Sequence, residues 1–100
     1  MPIGMQNKSL CDIGSGEGLF LDIVRQAEYG ANVFAVEPSP ALCRTLTDRS
    51  IGNFSGTIEQ FAESSKNKGR QFNIVTIMWT LENCQDARRM LQAAHDILTP

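Results

Sequence analysis

The segment Asp-Ile-Gly-Ser-Gly-Glu-Gly at residues 12–18 is the feature that most constrains how this chain can fold. It overlaps the end of a short apolar run, Ser9–Ile13, which predicts a buried strand that stops at Gly14. Apolar residues recur at helical spacing after Glu17, so the glycines lie between a strand and a helix. Glycine permits a tight turn and a close approach of the backbone to a ligand. The segment therefore predicts a strand–loop–helix unit with a ligand site at the loop.

Strand-like and helix-like segments continue to alternate along the rest of the chain. Residues 32–37 predict a second strand, residues 52–56 a short third strand, and residues 72–78 a fourth strand buried on both faces. Ser39 is a predicted N-cap with Pro40 at the first helical position, and Thr57 is a predicted cap for the third helix. The first helix is predicted to bury Leu19, Phe20, Ile23, Val24 and Ala27. The last is predicted to bury Ala87, Met90, Leu91, Ala94, Ile97 and Leu98.

Four strands that alternate with four helices indicate right-handed βαβ units. The predicted fold class is therefore α/β, with a parallel sheet covered by helices on both faces. A chain of 100 residues accommodates one such domain, spanning residues 1–100.

Composition narrows the classes of function. Hydrophobic residues make up 42% of the chain and the net charge is -2, without a basic face, which disfavours nucleic acid as a partner. No apolar run is long enough to predict a membrane span, and no secretory signal is recognised. The three cysteines are widely spaced without a CxxC pair, so neither a disulfide framework nor a metal site is predicted. These features favour a cytoplasmic protein with reduced thiols.

Glu37 ends the second predicted strand, about 20 residues beyond the glycine loop. In a parallel α/β sheet, ligands bind outside the carboxyl ends of the strands. A carboxylate at that position can accept hydrogen bonds from both hydroxyls of a ribose. The alternative is that Glu37 caps the following helix, although Ser39 is better placed to do so.

The spacing of the glycines distinguishes two classes of nucleoside cofactor. Dinucleotide-binding loops read G-x-G-x-x-G, whereas this loop reads G-x-G-x-G and has Leu19 where the third glycine would stand. Preceded by Leu-Cys-Asp-Ile, the loop resembles the first motif of Rossmann-like S-adenosylmethionine-dependent methyltransferases. Four segments resemble that family in the right order, over nearly the whole chain. The less favoured interpretation is that the chain belongs to an NAD-dependent oxidoreductase.

The resemblance implies a sheet order of 3-2-1-4 and a role for individual residues. The glycine loop would line the methionine part of the cofactor, and Asp12 would orient its amino group directly or through water. Glu37 would hold the ribose, and Pro38 would lie against the adenine. The residues implied to contact S-adenosylmethionine, or its product S-adenosylhomocysteine, are Asp12, Gly14, Ser15, Gly16, Gly18, Glu37, Pro38, Thr57, Ile58, Glu59, Met78 and Trp79.

The chain departs from the family pattern at three positions. Thr57 and Asn73 stand where an aspartate is common, and Asn83 stands where a histidine is common. A main-chain contact to the adenine from Ile58 or Glu59 remains compatible with Thr57. Trp79 is interpreted as the rim of the cofactor pocket, with a core position under the last helix as the alternative. No catalytic residue is assigned.

The family sheet usually has seven strands, so the resemblance implies a partial domain that stops before strands 5–7. The fourth strand would then be an exposed sheet edge through which two copies of the chain could pair. The resemblance implies methyl transfer to a small-molecule acceptor. The alternative is a non-catalytic fragment or scaffold module with the same fold.

Overall fold

The computed structural model describes residues 8–27, 32–64, 71–77 and 87–99. Within them, strands and helices alternate as the sequence predicts. The strands are β1 (Ser9–Ile13), β2 (Asn32–Glu37), β3 (Gly52–Ser55) and β4 (Ile74–Ile77). The helices are α1 (Leu19–Ala27), α2 (Pro40–Asp48), α3 (Ile58–Glu63) and α4 (Ala87–Asp96).

The strands form one parallel sheet in the order β3-β2-β1-β4. The strand order reverses at β1, which pairs with β2 on one side and with β4 on the other. The register places Asp12 of β1 beside Ala35 of β2 and Thr76 of β4. In a sheet of this kind, the ligand crevice lies at the carboxyl ends of the strands around the switch point. The predicted parallel α/β sheet and its order are confirmed.

Two apolar layers cover the sheet, one on each face. Cys11 and Ile13 of β1 belong to the layer that contains α3 and α4, whereas Leu10 belongs to the layer that contains α1 and α2. This alternation follows from the two-residue period of a strand. In the first layer the rings of Phe34, Phe54, Phe61 and Phe72 pack with neighbouring centroids 5.2–6.2 Å apart.

The predicted caps of α2 and α3 are confirmed. The Ser39 hydroxyl accepts the N–H of Leu42 at 3.3 Å, and Pro40 is the first residue of α2. The Thr57 hydroxyl accepts the N–H of Gln60 at 3.1 Å, while the Gln60 side chain accepts the N–H of Thr57 at 2.8 Å. This reciprocal pair is a capping box, which satisfies two N–H groups that would otherwise lack partners at the start of α3.

The buried side of α1 differs from the predicted one. Leu21 is fully buried, whereas Leu19 and Ile23 are 56% and 63% exposed. Phe20 and Val24 pack partly buried against the layer, as predicted. Six of the nine residues in α1 are apolar, so the helical period alone fits more than one face. The predicted residues that prove exposed are Leu19, Ile23 and Ala27.

The apolar face predicted for the last helix is correct for some of its residues and wrong for others. Met90, Ala94 and Ile97 are buried, as predicted. Ala93 is also buried, whereas Leu91 is 50% exposed and Ala87 is exposed. Because α4 packs against α3, it turns Ala93 and Ala94 inward and leaves the larger Leu91 towards solvent.

The prediction that the fourth strand is buried on both faces is wrong. All four residues of β4 are only half-buried, because β4 lies at the edge of the described sheet and pairs there with β1. Phe72 precedes the strand and is buried. It pairs with the chain that returns after α4, since its N–H donates to the Ile97 carbonyl at 2.7 Å and its carbonyl accepts the Thr99 N–H at 2.9 Å.

Asp22 links α1 to the end of α2. Its carboxylate accepts hydrogen bonds from Arg25 and, at 2.7 Å, from Arg49. Arg25 also donates to the carbonyls of Arg49 and Ser50, at 2.9 Å and 3.1 Å. The hydrogen bonds from Arg25 and then Arg49 hold the pKa of Asp22 below its ordinary value. These contacts fix the helix that follows the glycine loop against the turn between α2 and β3.

Ser50 ends α2 in a left-handed conformation with a φ of 61°. The Ser50 N–H donates to the Thr47 carbonyl and the Ile51 N–H to the Leu46 carbonyl, each at 2.9 Å. This pair of bonds is a Schellman motif, in which glycine is the usual left-handed residue. A serine Cβ is strained in that conformation.

We expect Ser50→Gly to raise the free energy of unfolding by about 0.5 kcal/mol, because the relieved strain exceeds the extra chain entropy of glycine. Urea unfolding followed by circular dichroism measures the change. Ser55→Gly is the matched control, since Ser55 lies in the extended backbone of β3 and glycine weakens a strand. A Ser50→Gly chain that is less stable than the wild type would contradict the assignment of strain.

None of the described helices is long and apolar enough to cross a membrane.

Candidate cofactor site

The predicted site residues that the structure describes follow or end the first three strands of the sheet, and hydrogen bonds connect their loops. The loop after β1 is attached to β2, because the N–H of Gly14 donates to the Val36 carbonyl at 2.8 Å. The loop then turns back on itself through a bond of 3.0 Å from the N–H of Gly18 to the Ser15 carbonyl. Main-chain hydrogen bonds therefore fix the shape of the loop.

Gly16 and Gly18 both have left-handed backbones, with φ of 58° and 84°, but their surroundings differ. A Cβ built on Gly16 meets nothing within 4 Å, so the backbone there is open to an approaching ligand. A Cβ on Gly18 would lie 2.6 Å from Leu46 and 2.9 Å from Ile51. Gly18, which was predicted to contact the cofactor, allows the start of α1 to pack against the end of α2 and the residue before β3.

Glu37 is the last residue of β2, and its carboxylate joins two loops. It is 7% exposed. Its Oε1 accepts the N–H of Gly16 and its Oε2 accepts the N–H of Ser39, both at 2.9 Å. Each oxygen of an ionised carboxylate can accept more than one hydrogen bond, so both retain capacity for a ligand hydroxyl. Ser39, and not Glu37, caps α2.

The loop after β3 lies beside Glu37, because the N–H of Gly56 donates to the Glu37 carbonyl at 3.0 Å. Thr57 follows this glycine and is exposed, but its hydroxyl already caps α3. Ile58 places its side chain in the core, and Glu59 is half-buried. Pro38, on the loop after β2, is exposed.

Asp12 lies in β1, just before the glycine loop, and is 2% exposed. Its Oδ1 accepts the Thr76 hydroxyl at 2.6 Å, and its carbonyl accepts the Ser15 hydroxyl at 2.9 Å. Burial raises the pKa of the Asp12 carboxyl, and the nearby Glu37 carboxylate raises it further. The hydroxyl of Thr76 acts in the opposite direction because it donates to the carboxylate and stabilises the ionised form, but the pKa remains raised.

Two residues that support this site were not singled out from the sequence. Thr76 donates to Asp12, and the thiol of Cys43 donates to the Glu37 carbonyl at 3.2 Å. Aligning the parallel strands in register would have placed Thr76 beside Asp12. Cys43 lies on α2, six residues beyond Glu37, and no local pattern marks it. Both Cys11 and Cys43 are buried and free of disulfides.

The structure brings most of the predicted set into one neighbourhood, while Met78 and Trp79 lie outside the described residues. The arrangement combines an open glycine backbone at Gly16, an acceptor at Glu37 and a second carboxylate at Asp12. Such an edge can bind a ligand with a vicinal diol and a cationic group.

A comparison with protein-family models identifies the family of this chain. The model described as a methyltransferase domain matches residues 2–100. The chain therefore belongs to this family of methyltransferase domains. A search of curated proteins found no match.

Several solved structures share the fold. The plantazolicin methyltransferase BpumL, in complex with a triazolic desmethylPZN analog and SAH, is 18% identical with a TM-score of 0.80 over 92% of this chain. CalS10 from Micromonospora echinaspora, an amino pentose methyltransferase with SAM bound, is 23% identical with a TM-score of 0.75 over 93% of this chain. DesVI from Streptomyces venezuelae is 20% identical with a TM-score of 0.75 over 93%. This chain spans 35% of the BpumL chain and 39% of each of the other two.

Proposed function

We propose that this chain is the S-adenosylmethionine-binding part of a methyltransferase that acts on a small-molecule acceptor, and that residues 1–100 form a partial domain. The observation that carries the proposal is the bond between Gly16 and Glu37, which sets an open glycine backbone beside a buried carboxylate with remaining acceptor capacity. Membership of the methyltransferase-domain family supports it. So does the bound SAH or SAM in the structures of BpumL and CalS10.

The residues present fit this cofactor group by group. Glu37 accepts hydrogen bonds from the two ribose hydroxyls, and Asp12 accepts from the ammonium group of the methionine part. Pro38 and the turn at residues 57–59 would hold the adenine. The glycine loop lines the methionine part through Gly14, Ser15 and Gly16. Met78 and Trp79 remain predicted cofactor contacts, with Trp79 at the rim of the pocket.

The chemistry follows from what the cofactor carries when bound, a methyl group on a sulfonium sulfur that is itself the leaving group. The residues of this chain then have to bind the cofactor, orient it towards the acceptor and exclude water from the site. Glu37 and Asp12, which lie on adjacent strands, would hold the ribose and the ammonium group of the cofactor. We assign no general base to the described residues.

A small-molecule acceptor is favoured over nucleic acid because the net charge is -2 and the basic residues are scattered. CalS10 is described as an amino pentose methyltransferase, which agrees with an acceptor of this size. A cytoplasmic location and pairing of two copies through the β4 edge remain predictions.

A non-catalytic module is the second candidate function. It is favoured by Thr57, which stands where the family commonly has an aspartate and whose hydroxyl already caps α3. A scaffold of this kind would keep the fold without binding the cofactor, so ligand binding separates the two candidates.

We expect S-adenosylmethionine and S-adenosylhomocysteine to bind the chain and NAD not to bind. Isothermal titration calorimetry measures the affinities, and thermal unfolding provides a second measurement. A ligand at 100 times its Kd stabilises the folded state by about 2.7 kcal/mol. A chain that binds neither sulfur compound would contradict the proposal and favour the scaffold. Binding of NAD alone would favour an oxidoreductase.

A further inference from the structure

Asp12 is a buried carboxylate that lies between two other strands. Its neighbour in register on β2 is Ala35, whose methyl side chain offers no hydrogen-bond donor. Its neighbour on β4 is Thr76, whose hydroxyl donates to Asp12 Oδ1 at 2.6 Å. Of the two cross-strand neighbours, Thr76 alone can orient the carboxylate by a hydrogen bond.

The position of the Thr76 hydroxyl is itself restricted. Threonine is branched at Cβ, so its χ1 angle has few allowed values in a strand. The Ile74 side chain, two residues earlier in β4, packs against the layer of α1 and α2. Thr76 therefore presents its side chain to the same face of the sheet as Asp12. The distance of 2.6 Å places the Thr76 hydroxyl within hydrogen-bond range of Asp12 Oδ1.

We infer that Thr76 is a positioning residue for cofactor binding, whose hydroxyl holds the buried Asp12 carboxylate ionised and oriented towards the ammonium group of the ligand. The inference rests on the proposed function and extends it to β4. Thr76 acts through Asp12 and needs no contact with the ligand.

The electrostatics of the site agree with this role. Burial and the Glu37 carboxylate both raise the pKa of Asp12, whereas the Thr76 hydroxyl opposes them. Among the residues that the structure describes, Glu37 is the charged group that acts on Asp12. Loss of the hydroxyl therefore raises the pKa of Asp12 further. When the solution is acidified, the ionised form of Asp12, which binds the cation, is therefore lost at a higher pH than in the wild type.

The test compares Thr76→Val, which removes the hydroxyl at nearly constant volume, with Thr76→Ser, which retains it. Titration calorimetry with S-adenosylmethionine is run on the whole chain from pH 5 to pH 8. We expect Thr76→Val to bind about tenfold more weakly at neutral pH. We also expect the pH at which its affinity falls to lie above that of the wild type. Thr76→Ser should restore both properties.

Two controls separate positioning from a general structural effect. The ligand 5′-methylthioadenosine keeps the adenine and the ribose but lacks the ammonium group, so Thr76→Val should bind it as the wild type does. Thr45→Val removes a hydroxyl from α2 that bonds the Ala41 carbonyl, and it should leave both affinities unchanged. Thr76→Ala provides a second hydroxyl-free variant for the case that valine prevents folding.

Three outcomes would overturn the inference. Wild-type affinity and pH dependence in Thr76→Val would remove Thr76 from the site while the proposed function stands. Equal weakening of both ligands would assign Thr76 a structural role only. Failure of the wild-type chain to bind S-adenosylmethionine would contradict the proposed function, and the inference with it.

Discussion

Replacing Glu37 with alanine is expected to weaken the binding of S-adenosylmethionine by about 1–3 kcal/mol, because the ribose hydroxyls lose a charged acceptor. The same change removes the acceptor of the Gly16 and Ser39 N–H groups. We therefore expect the free energy of unfolding to fall as well, by about 1–3 kcal/mol. Calorimetry measures the first effect and urea unfolding measures the second.

Two further variants serve as comparisons. Glu37→Gln keeps one side-chain oxygen but places an amide N–H₂ group near two backbone donors. It should therefore weaken cofactor binding, and it should not restore both of the loop hydrogen bonds that Glu37→Ala loses. Glu63→Ala removes an exposed glutamate from the end of α3 and should behave like the wild type. Unchanged cofactor affinity in a folded Glu37→Ala chain would exclude Glu37 from the site.

Replacing Gly18 with alanine is expected to lower the free energy of unfolding by about 2–4 kcal/mol. Two causes add: an alanine is strained at a φ of 84°, and its Cβ would lie 2.6 Å from Leu46 and 2.9 Å from Ile51. Urea denaturation followed by circular dichroism measures the loss. The chain has little means of adapting there, because Leu46 is fully buried and the Asp22 hydrogen bonds hold α1 against α2.

Gly16→Ala is the matched comparison, because it has the same backbone region without the clash. Its Cβ meets nothing within 4 Å, so only the conformational strain, about 1 kcal/mol, should appear in its stability. The new methyl group occupies the open space beside Glu37 and should weaken cofactor binding. Equal stability losses in the two variants would contradict the packing role assigned to Gly18.

Local sequence signals were sufficient for the caps and the position of the glycine loop, whereas the strand order was implied by the resemblance to the methyltransferase family. The Ser39 hydroxyl, and the side chains of Thr57 and Gln60, accept N–H groups at the start of a helix from within one turn, and Pro40 has no N–H that needs a partner. Such contacts depend on neighbours in the chain, so they are visible without a structure.

The side of each helix that faces the core could not be predicted from local sequence signals. In α1 the apolar residues cover more than one face, and contact with the sheet selects Leu21 over Leu19 and Ile23. In α4 the neighbouring α3 selects Ala93 over Leu91. For β4, an apolar composition predicts burial on both faces, but an edge position in the described sheet leaves it half-buried.

The candidate site also combines positions that the sequence predicts with contacts that it does not. The positions of Glu37 and Gly16 at adjacent strand ends follow from the spacing of the motifs. Their direct hydrogen bond, and the bond from Thr76 to Asp12, join residues 21 and 64 positions apart. Such contacts depend on how far each strand extends and on its register, which no local pattern specifies.

The bond between Gly16 and Glu37 also bears on the thermodynamics of ligand entry. Both groups are restricted in the folded chain without a ligand. Immobilising a side chain on binding costs about 0.5–1.5 kcal/mol of conformational entropy. At this edge that entropy has been lost during folding, so an incoming ligand meets a preorganised receptor. We therefore expect the loop and the strand end to act as one unit, so that selectivity for a ligand's shape is established before the ligand arrives.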